Sequence, residues 1–272
     1  MTIEAICKRV CGLDVHKKII VGTILLEDAT GQLTEETREF GTLPSELRKL
    51  TDWLTAHKIE LTVMESTGVF WKPVYAALEE QHLKAAVVNA RHIKNVPGRK
   101  TDVKDSQWIA SLARCGLLKG SFIPDKALRD LRMLTRYRIK LQRMVAQEKN
   151  RLHKILDAAG FCIGTIVSQI TGMSAQAIIN GLIKGETVES ILVQMKGVVK
   201  KKEKQILEIL AKPLGQKDRF LLQQILNHIL YMEQERTLLD EQILMALEPF
   251  KEFWNILQTI PGIDKWRCLP DC

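Results

Sequence analysis

The spacing of apolar and polar positions divides the chain into a mixed first part and a helical remainder. Short runs rich in β-branched residues predict strands, and apolar positions that recur three and four residues apart predict helices. The predicted elements up to residue 115 are strands at 10–15, 18–26 and 35–40, a helix at 47–57, a strand at 61–64, a helix at 69–81, a strand at 85–88 and a helix at 103–115. This order predicts an α/β layer fold.

The β-β-β-α-β-α-β-α order matches the ribonuclease-H-like (RuvC-like) arrangement. In that fold the first and fourth strands are neighbours, so we expect Asp14 and Glu65 to lie side by side at the strand ends. Asp102 and Asp105 are three residues apart at the start of the next predicted helix, which places both side chains on one helical face. The positive end of the helix dipole favours ionised carboxylates there.

These four carboxylates are the candidate catalytic and metal-binding residues. Asp14 stands in GLDVHK, Glu65 in VMESTG, and Asp102 and Asp105 in KTDVKD. Any one of them alone is more often a helix cap or a surface charge, so the prediction depends on their joint placement at element ends. Carboxylates are hard oxygen ligands that suit Mg²⁺. Two Mg²⁺ ions about 4 Å apart would stabilise the attacking and leaving oxygens of a phosphodiester exchange.

The remainder of the chain is predicted to be helical. An apolar stripe predicts one long helix over 125–158, and a second long helix is predicted over 217–247. The second helix carries a 3-4 alternation of positions, which are Leu222, Ile225, Ile229, Met232, Arg236, Leu239, Ile243 and Ala246. All of them except the arginine are apolar, and the alternation predicts either a coiled coil or a helical hairpin.

Positive charge is concentrated in the first long helix. The chain has a formal net charge of +8, and residues 125–160 hold ten Lys/Arg against four Asp/Glu. Such a local basic stripe predicts nucleic-acid binding, with a solvated bundle face or solvated strand-end residues as the alternative. The candidate contacts are His16, Lys17, Arg91, Lys94, Arg99, Lys100, Arg129, Arg132, Arg136, Arg143 and Arg151.

Cysteine usage and hydropathy limit the remaining classes of protein. The six cysteines have neither CxxC spacing nor histidines at zinc-finger spacing, so reduced thiols are favoured over a zinc site. The sequence shows no secretory signal and no apolar run of about 20 residues, which predicts a cytoplasmic protein without a membrane span.

Several long motifs resemble a known family. The segments are GLDVHK, VMESTGVFWKPVYAALE, VVNARHIKNVPGRKTDVKDS and the later RFLLQQIL, PF and TIPGI. They resemble the DEDD transposases of bacterial insertion sequences, which are related to the Piv-type DNA invertases and are also described as bridge-RNA-guided recombinases. The resemblance runs from about Cys11 to Ile263.

The resemblance implies a RuvC-like domain, Mg²⁺-dependent DNA strand exchange in the bacterial cytoplasm, and a coiled coil used in homo-oligomerisation. It implies that the four carboxylates bind two Mg²⁺ ions, that a structured guide RNA holds donor and target DNA, and that a second, C-terminal domain supplies a serine nucleophile. The expected domains are a RuvC-like catalytic domain at 8–122, a basic helical region at 123–215, a coiled coil or helical hairpin at 216–248 and the start of a C-terminal transposase domain at 249–272.

The sequence departs from the family pattern after the segment IPGI. The chain continues only with DKWRCLPDC, and no serine, Ser66 and Ser174 included, stands in a context that matches the nucleophile. We therefore expect a C-terminally truncated transposase in which strand exchange is lost or impaired. A decayed frameshift or early stop is the favoured origin, and a programmed shift is the alternative.

Three other functions remain as alternatives. A RuvC-like junction nuclease would hydrolyse branched DNA without a serine, and a non-catalytic regulator of transposition would only bind DNA or RNA. A sugar-kinase-like ATPase is disfavoured, because GLDVHK lacks the Gly-rich turns that bind phosphates.

Overall fold

The structure, a computed structural model, describes residues 6–66, 68–94, 105–167, 169–194 and 202–262 of the 272-residue chain. The chain forms two compact units, Met1–Ile123 and Pro124–Cys272. Each unit has its own hydrophobic clusters among the described residues.

The first unit is built on a five-stranded mixed sheet. Its strands are β1 (Arg9–Val15), β2 (Ile19–Glu27), β3 (Leu33–Gly41), β4 (Leu61–Glu65) and β5 (Ala85–Val88). The strand order is β3-β2-β1-β4-β5, with antiparallel pairs among the first three strands and parallel pairs at β1–β4 and β4–β5. The predicted neighbourhood of the first and fourth strands is therefore confirmed, and the sheet is that of a ribonuclease-H-like fold.

Helices cover both faces of this sheet. The helices are α1 (Pro44–Ala56), α2 (Trp71–Glu80), α3 (Ala90–Lys94) and α4 (Asp105–Arg114). Helices α1 and α2 pack on the face that carries Cys11 and Leu13, whereas α4 packs on the face that carries Val10 and Val63. Successive side chains of a strand point to opposite faces, so Gly12 and Asp14 of β1 lie on the α4 face.

Local chemistry explains the ends of several elements. The Asp28 carboxylate accepts hydrogen bonds from the Thr30 hydroxyl and from the backbone amides of Thr30 and Gln32, which holds the pKa of that carboxyl below its usual range. Ser45 is a residue type that favours N-caps, but Leu43 is the N-cap of α1 and Pro44 opens the helix. Proline suits that position because it lacks the N–H that the first turn would leave unpaired.

The second unit is helical over its described residues. Its helices are α5 (Lys126–Ala158), α6 (Met173–Lys184), α7 (Val188–Val193), α8 (Glu203–Ile209), α9 (Gln216–Ala246) and α10 (Lys251–Gln258), with 3₁₀ turns at Ile163–Thr165 and Glu248–Phe250. The two long helices match the predicted ones to within a residue or two. None of the described helices combines the length and the apolar character that a membrane crossing requires.

Helices α5 and α9 form an antiparallel pair. The first turns of α5 meet the end of α9, where Leu131 packs with Ile243, while Lys149 near the end of α5 binds Glu233 at 2.9 Å. Of the eight positions of the predicted seam, those that are buried are Leu222, Ile225, Ile229, Met232 and Ile243. Along this part of the chain the seam therefore packs within one molecule.

Candidate active site

Asp14 lies near the end of the central strand β1. It is opposite Val21 on β2, and Val21 is in turn opposite Glu39 on β3, so these side chains share one face of the sheet. The Asp14 side chain is 21% exposed, and its Oδ2 lies 3.0 Å from Nε2 of His16. The carboxylate is therefore accessible and has an imidazole neighbour two residues along the chain.

Asp105 opens α4 at the same end of the sheet. A cavity of about 290 Å³ is lined by Asp14, Val21, Glu39, Asp105 and Ser106. The structure thus brings the first and last of the four predicted carboxylates to one cavity. Asp105 stands in the first turn of its helix, where the helix dipole favours a negative charge.

Glu65 ends β4 at the same edge. In the parallel β1–β4 pair Leu13 is level with Met64, and Asp14 and Glu65 each directly follow this last paired residue of their strand. Val63, two residues earlier, packs against α4, and the alternation of β-strand side chains puts Glu65 on that same face. Three of the four predicted carboxylates therefore lie at one edge and on one face of the sheet.

The fourth carboxylate, Asp102, lies outside the described residues. Within the ranges that the structure describes, no group of three or more His, Cys, Asp or Glu side chains is close enough to hold a metal ion. The cavity offers carboxylate oxygens of Asp14 and Asp105, which are the hard donors that Mg²⁺ prefers. The donor chemistry of these two side chains fits a hydrated divalent cation, which keeps several of its waters.

The predicted nucleic-acid contacts fall into three groups. The first group lies in the first unit, where the exposed residues are His16, Lys17 and Arg91. Lys94 is the last residue of α3. Two further residues, Arg99 and Lys100, lie outside the described residues. On α5, the exposed arginines are Arg136, Arg143 and Arg151. Arg129 and Arg132 are half-buried, and an Arg129 Nη1 donates to the Pro124 carbonyl at 2.7 Å.

Sequence reasoning missed four residues at these surfaces. Glu39 and Ser106 line the cavity with Asp14, and Lys140 and Lys154 extend the exposed basic face of α5. Helical spacing from Arg136 would have found both lysines. Glu39 needed the β2–β3 register, which the sequence alone does not supply.

The sheet order places the first unit in the ribonuclease-H-like fold class, with three carboxylates at one end of its sheet. The family model DEDD_Tnp_IS110, described as a transposase, matches residues 11–160, which is more than half of the chain. The chain belongs to this family of DEDD transposases. It is thus an enzyme of DNA recombination by family, and its N-terminal fold is the one that the sequence predicted.

Comparison with solved structures gives distant similarities. A RuvC structure from Thermus thermophilus is 14% identical, with a TM-score of 0.31, and the match covers 42% of this chain and 99% of that one. The fowlpox virus Holliday junction resolvase is 16% identical with a TM-score of 0.25, over 30% of this chain and 60% of that one. No curated protein matches the chain.

Proposed function

We propose that Asp14, Glu65, Asp102 and Asp105 bind Mg²⁺ as the catalytic metal site for DNA strand cleavage and rejoining, with strand exchange weaker than in a chain that also carries the serine nucleophile. The observation that carries the proposal is the shared cavity of Asp14 and Asp105, with Glu65 at the end of the adjacent strand β4. Three acidic positions, separated by 51 and then 40 residues along the chain, lie at one end of the sheet. Family membership supports DNA as the substrate.

The carboxylates would hold up to two Mg²⁺ ions, which when bound supply a Lewis acid and a low-pKa water or hydroxyl for phosphodiester chemistry. Asp14 would provide a ligand oxygen, and His16 beside it would orient that carboxylate through the 3.0 Å contact. Lys17 is exposed directly after His16 and would contact the phosphate next to the scissile bond. Arg91, Lys94, Arg99 and Lys100 would contact the flanking phosphates.

An assay of strand cleavage and joining tests the proposal. The purified chain is incubated with labelled linear duplexes and four-way junctions, with and without a structured RNA, in Mg²⁺, in Ca²⁺ and in EDTA. Cleaved or joined products that need Mg²⁺ support the proposal, and joined products distinguish recombination from hydrolysis. Products that form equally well in EDTA, or Mg²⁺-dependent products that the Asp14→Asn variant forms as fast as the wild type, would contradict it.

The exposed face of α5 is the surface that we assign to the nucleic-acid backbone. The cationic stripe consists of Arg136, Lys140, Arg143, Arg151 and Lys154, which are exposed and follow helical spacing. It spans about 27 Å at 1.5 Å per residue. Glu148, the acid that lies between these positions, is buried, and its carboxylate accepts a hydrogen bond from Arg151 Nη1 at 2.6 Å. The stripe therefore carries a net positive charge, which suits contacts with phosphates rather than with particular bases.

Neutralising part of the cationic stripe should weaken binding for every sequence. The triple substitution Arg136→Gln, Lys140→Gln and Arg143→Gln is expected to lower the slope of log K against log salt concentration by about one unit for each lost charge. Binding of duplex DNA and of structured RNA is measured by fluorescence anisotropy over a series of salt concentrations.

The matched control removes the same charge elsewhere in the second unit. Lys204, Lys217 and Lys251 are exposed on other helices, and their replacement by Gln should leave the slope near the wild-type value. Equal slopes for the two triple variants would mean that α5 does not bind the backbone. Loss of DNA binding with RNA binding unchanged would argue against the structured guide RNA as a partner of this stripe.

Homo-oligomerisation is proposed through the outer face of α9. Tyr231, Leu238 and Met245 are spaced by seven residues and are 59%, 55% and 68% exposed, and Phe220 extends the same stripe. The buried seam of α9 faces the opposite side, so the helix is apolar on two faces. An exposed heptad stripe of this kind favours a helix–helix contact between two chains.

A charge on this outer stripe should dissociate the oligomer. The substitutions Tyr231→Glu and Leu238→Glu, made together, are expected to yield monomers in light scattering coupled to size-exclusion chromatography, because the charges would be desolvated at the contact. The control Thr237→Glu adds a charge at an exposed position away from the stripe. A wild-type chain that is monomeric at all concentrations, or a double variant that stays oligomeric, would exclude this surface.

A further inference from the structure

A chain of three hydroxyl groups links the edge of the sheet to the first turn of α4. Oγ1 of Thr23 lies 2.9 Å from Oγ1 of Thr37 and 2.8 Å from Oγ of Ser106. Thr23, at the centre of this chain, is fully buried, and Ser106 at one end is 1% exposed. A hydroxyl carries one donor and two acceptor positions, so Thr23 can satisfy both neighbours at once.

The three hydroxyls lie on the face of the sheet that carries the candidate active site. Thr23 is opposite Gly12 on β1 and Thr37 on β3. Asp14 and Glu39 lie two residues farther along those same two strands. At Gly12 the backbone of α4 comes so close that a Cβ would lie 2.2 Å from the Ser106 carbonyl oxygen. Helix α4 therefore contacts the sheet directly at Gly12, and the Ser106 hydroxyl binds Thr23 on the neighbouring strand at the same level.

Ser106 joins this buried chain to the cavity. It directly follows Asp105, and both residues line the cavity together with Asp14. Two further hydrogen-bonded contacts of α4 with the sheet lie farther along the helix: Gln107 donates to Glu35 at 2.7 Å on the surface, and Arg114 pairs with Glu27 near the end. Among these contacts, the Ser106 hydroxyl is the buried one, and it lies next to the carboxylate that faces Asp14.

We propose that Ser106 is a positioning residue for the active site. Through Thr23 and Thr37 it fixes the first turn of α4 on the sheet, and this sets the separation of the Asp105 and Asp14 carboxylates. A hydrogen bond constrains direction as well as distance, whereas an apolar contact of equal size would let the helix shift along the sheet. The inference rests on the proposed metal site and deepens it, because the separation of two ligands controls the affinity for a shared cation.

The consequence is a metal affinity that depends on the chain of hydroxyls that holds the first turn of α4 against the sheet. Ser106→Ala removes the hydroxyl next to Asp105, and Thr23→Val removes the central hydroxyl while keeping the shape of the side chain. Each is expected to weaken Mn²⁺ binding roughly tenfold, as substitutions behind a ligand typically do. Because both act on one chain of hydrogen bonds, the double variant should bind Mn²⁺ about as weakly as the weaker single variant.

The experiment measures Mn²⁺ affinity by isothermal titration calorimetry on the full chain, alongside thermal unfolding. Thr23→Ser keeps the hydroxyl and should restore affinity close to the wild type. Ser111→Ala is the matched control, because the Ser111 hydroxyl donates to the Gln107 carbonyl within α4 and not to the sheet. Thr37→Val, at a half-buried position of the edge strand, provides a milder variant if Thr23→Val does not fold.

The outcomes separate the two proposals. Weaker Mn²⁺ binding by Ser106→Ala and Thr23→Val, with Thr23→Ser and Ser111→Ala unchanged, supports the positioning role. If Asp14→Asn abolishes Mn²⁺ binding while Ser106→Ala and Thr23→Val bind it normally and only unfold at lower temperature, the hydroxyls are merely structural and the positioning role is wrong. If Asp14→Asn binds Mn²⁺ as the wild type does, the proposed metal site fails, and the positioning role fails with it.

Discussion

Replacing Asp14 with asparagine is expected to lower Mg²⁺-dependent strand cleavage or joining by roughly a thousandfold or more, since a bound metal contributes several kcal/mol to the transition state. Asn has nearly the same size as Asp, and the site is 21% exposed, so the melting temperature should change little. The measurement is the initial rate of product formation at saturating Mg²⁺, together with thermal unfolding of both proteins.

Asp52→Asn provides the matched control for this substitution. Asp52 is exposed on α1, which packs on the opposite face of the sheet from the cavity. Its replacement removes the same charge and should leave the rate unchanged. A rate for Asp14→Asn that stays within the range of the control would mean that the β1 carboxylate has no part in the chemistry.

Replacing Gly12 with alanine is expected to destabilise the first unit by about 3 kcal/mol, at the upper end of what overpacking usually costs. The added Cβ would lie 2.2 Å from the Ser106 carbonyl oxygen and 2.4 Å from the Ala110 backbone nitrogen. Both are backbone atoms, so no side-chain rotation can relieve the contact, and α4 must move away from the sheet. Thermal and urea unfolding would measure the loss, and Mn²⁺ affinity should fall with it because Asp105 moves with the helix.

Gly120→Ala is the control for added volume. A Cβ there would meet the Cβ of Ala86 at 3.5 Å, which is an ordinary contact. This variant should unfold close to the wild-type midpoint. If Gly12→Ala were equally stable, α4 would have to lie farther from β1 than the structure places it.

Most of the fold could be predicted from the sequence, because each element has a strong local signal. The β-branched run of β2 and the alternating helical positions of α5 are properties of neighbouring residues, and the structure places both elements within a residue or two of the prediction. The start of α1 was harder. Ser45 is a good capping residue, yet Pro44 determines the first turn because its fixed φ already suits a helix.

The candidate site was predictable only in part. Asp14 and Glu65 could be placed together because the element order gives the neighbouring strands, and parallel strands end at the same edge. Glu39 could not, because it reaches the cavity through the β2–β3 register, and a shift of one residue would turn its side chain to the other face. The role of Ser106 could not be predicted either, because only the structure shows that its hydroxyl lies 2.8 Å from that of Thr23.

Helix α9 in the second unit was also predictable only in part. The 3-4 alternation predicted its seam correctly at the positions that are buried, but it left the partner of that seam open. The structure assigns α5 as that partner, with Lys149 bound to Glu233 across the pair. The exposed heptad of Tyr231, Leu238 and Met245 was hidden in the sequence, because a helix that is apolar on two faces gives a weak periodic signal.

The sequence by itself determined the class of fold, the long helices, the concentration of positive charge and the family, because all of these depend on local pattern or on motifs. Tertiary structure alone decided which charges of α5 reach solvent, which residues join Asp14 at the cavity, and how α4 is held against Gly12. These last features depend on pairs that are far apart in sequence, such as Thr23 and Ser106. Only the register of the strands and the packing of a helix on them bring such pairs into contact.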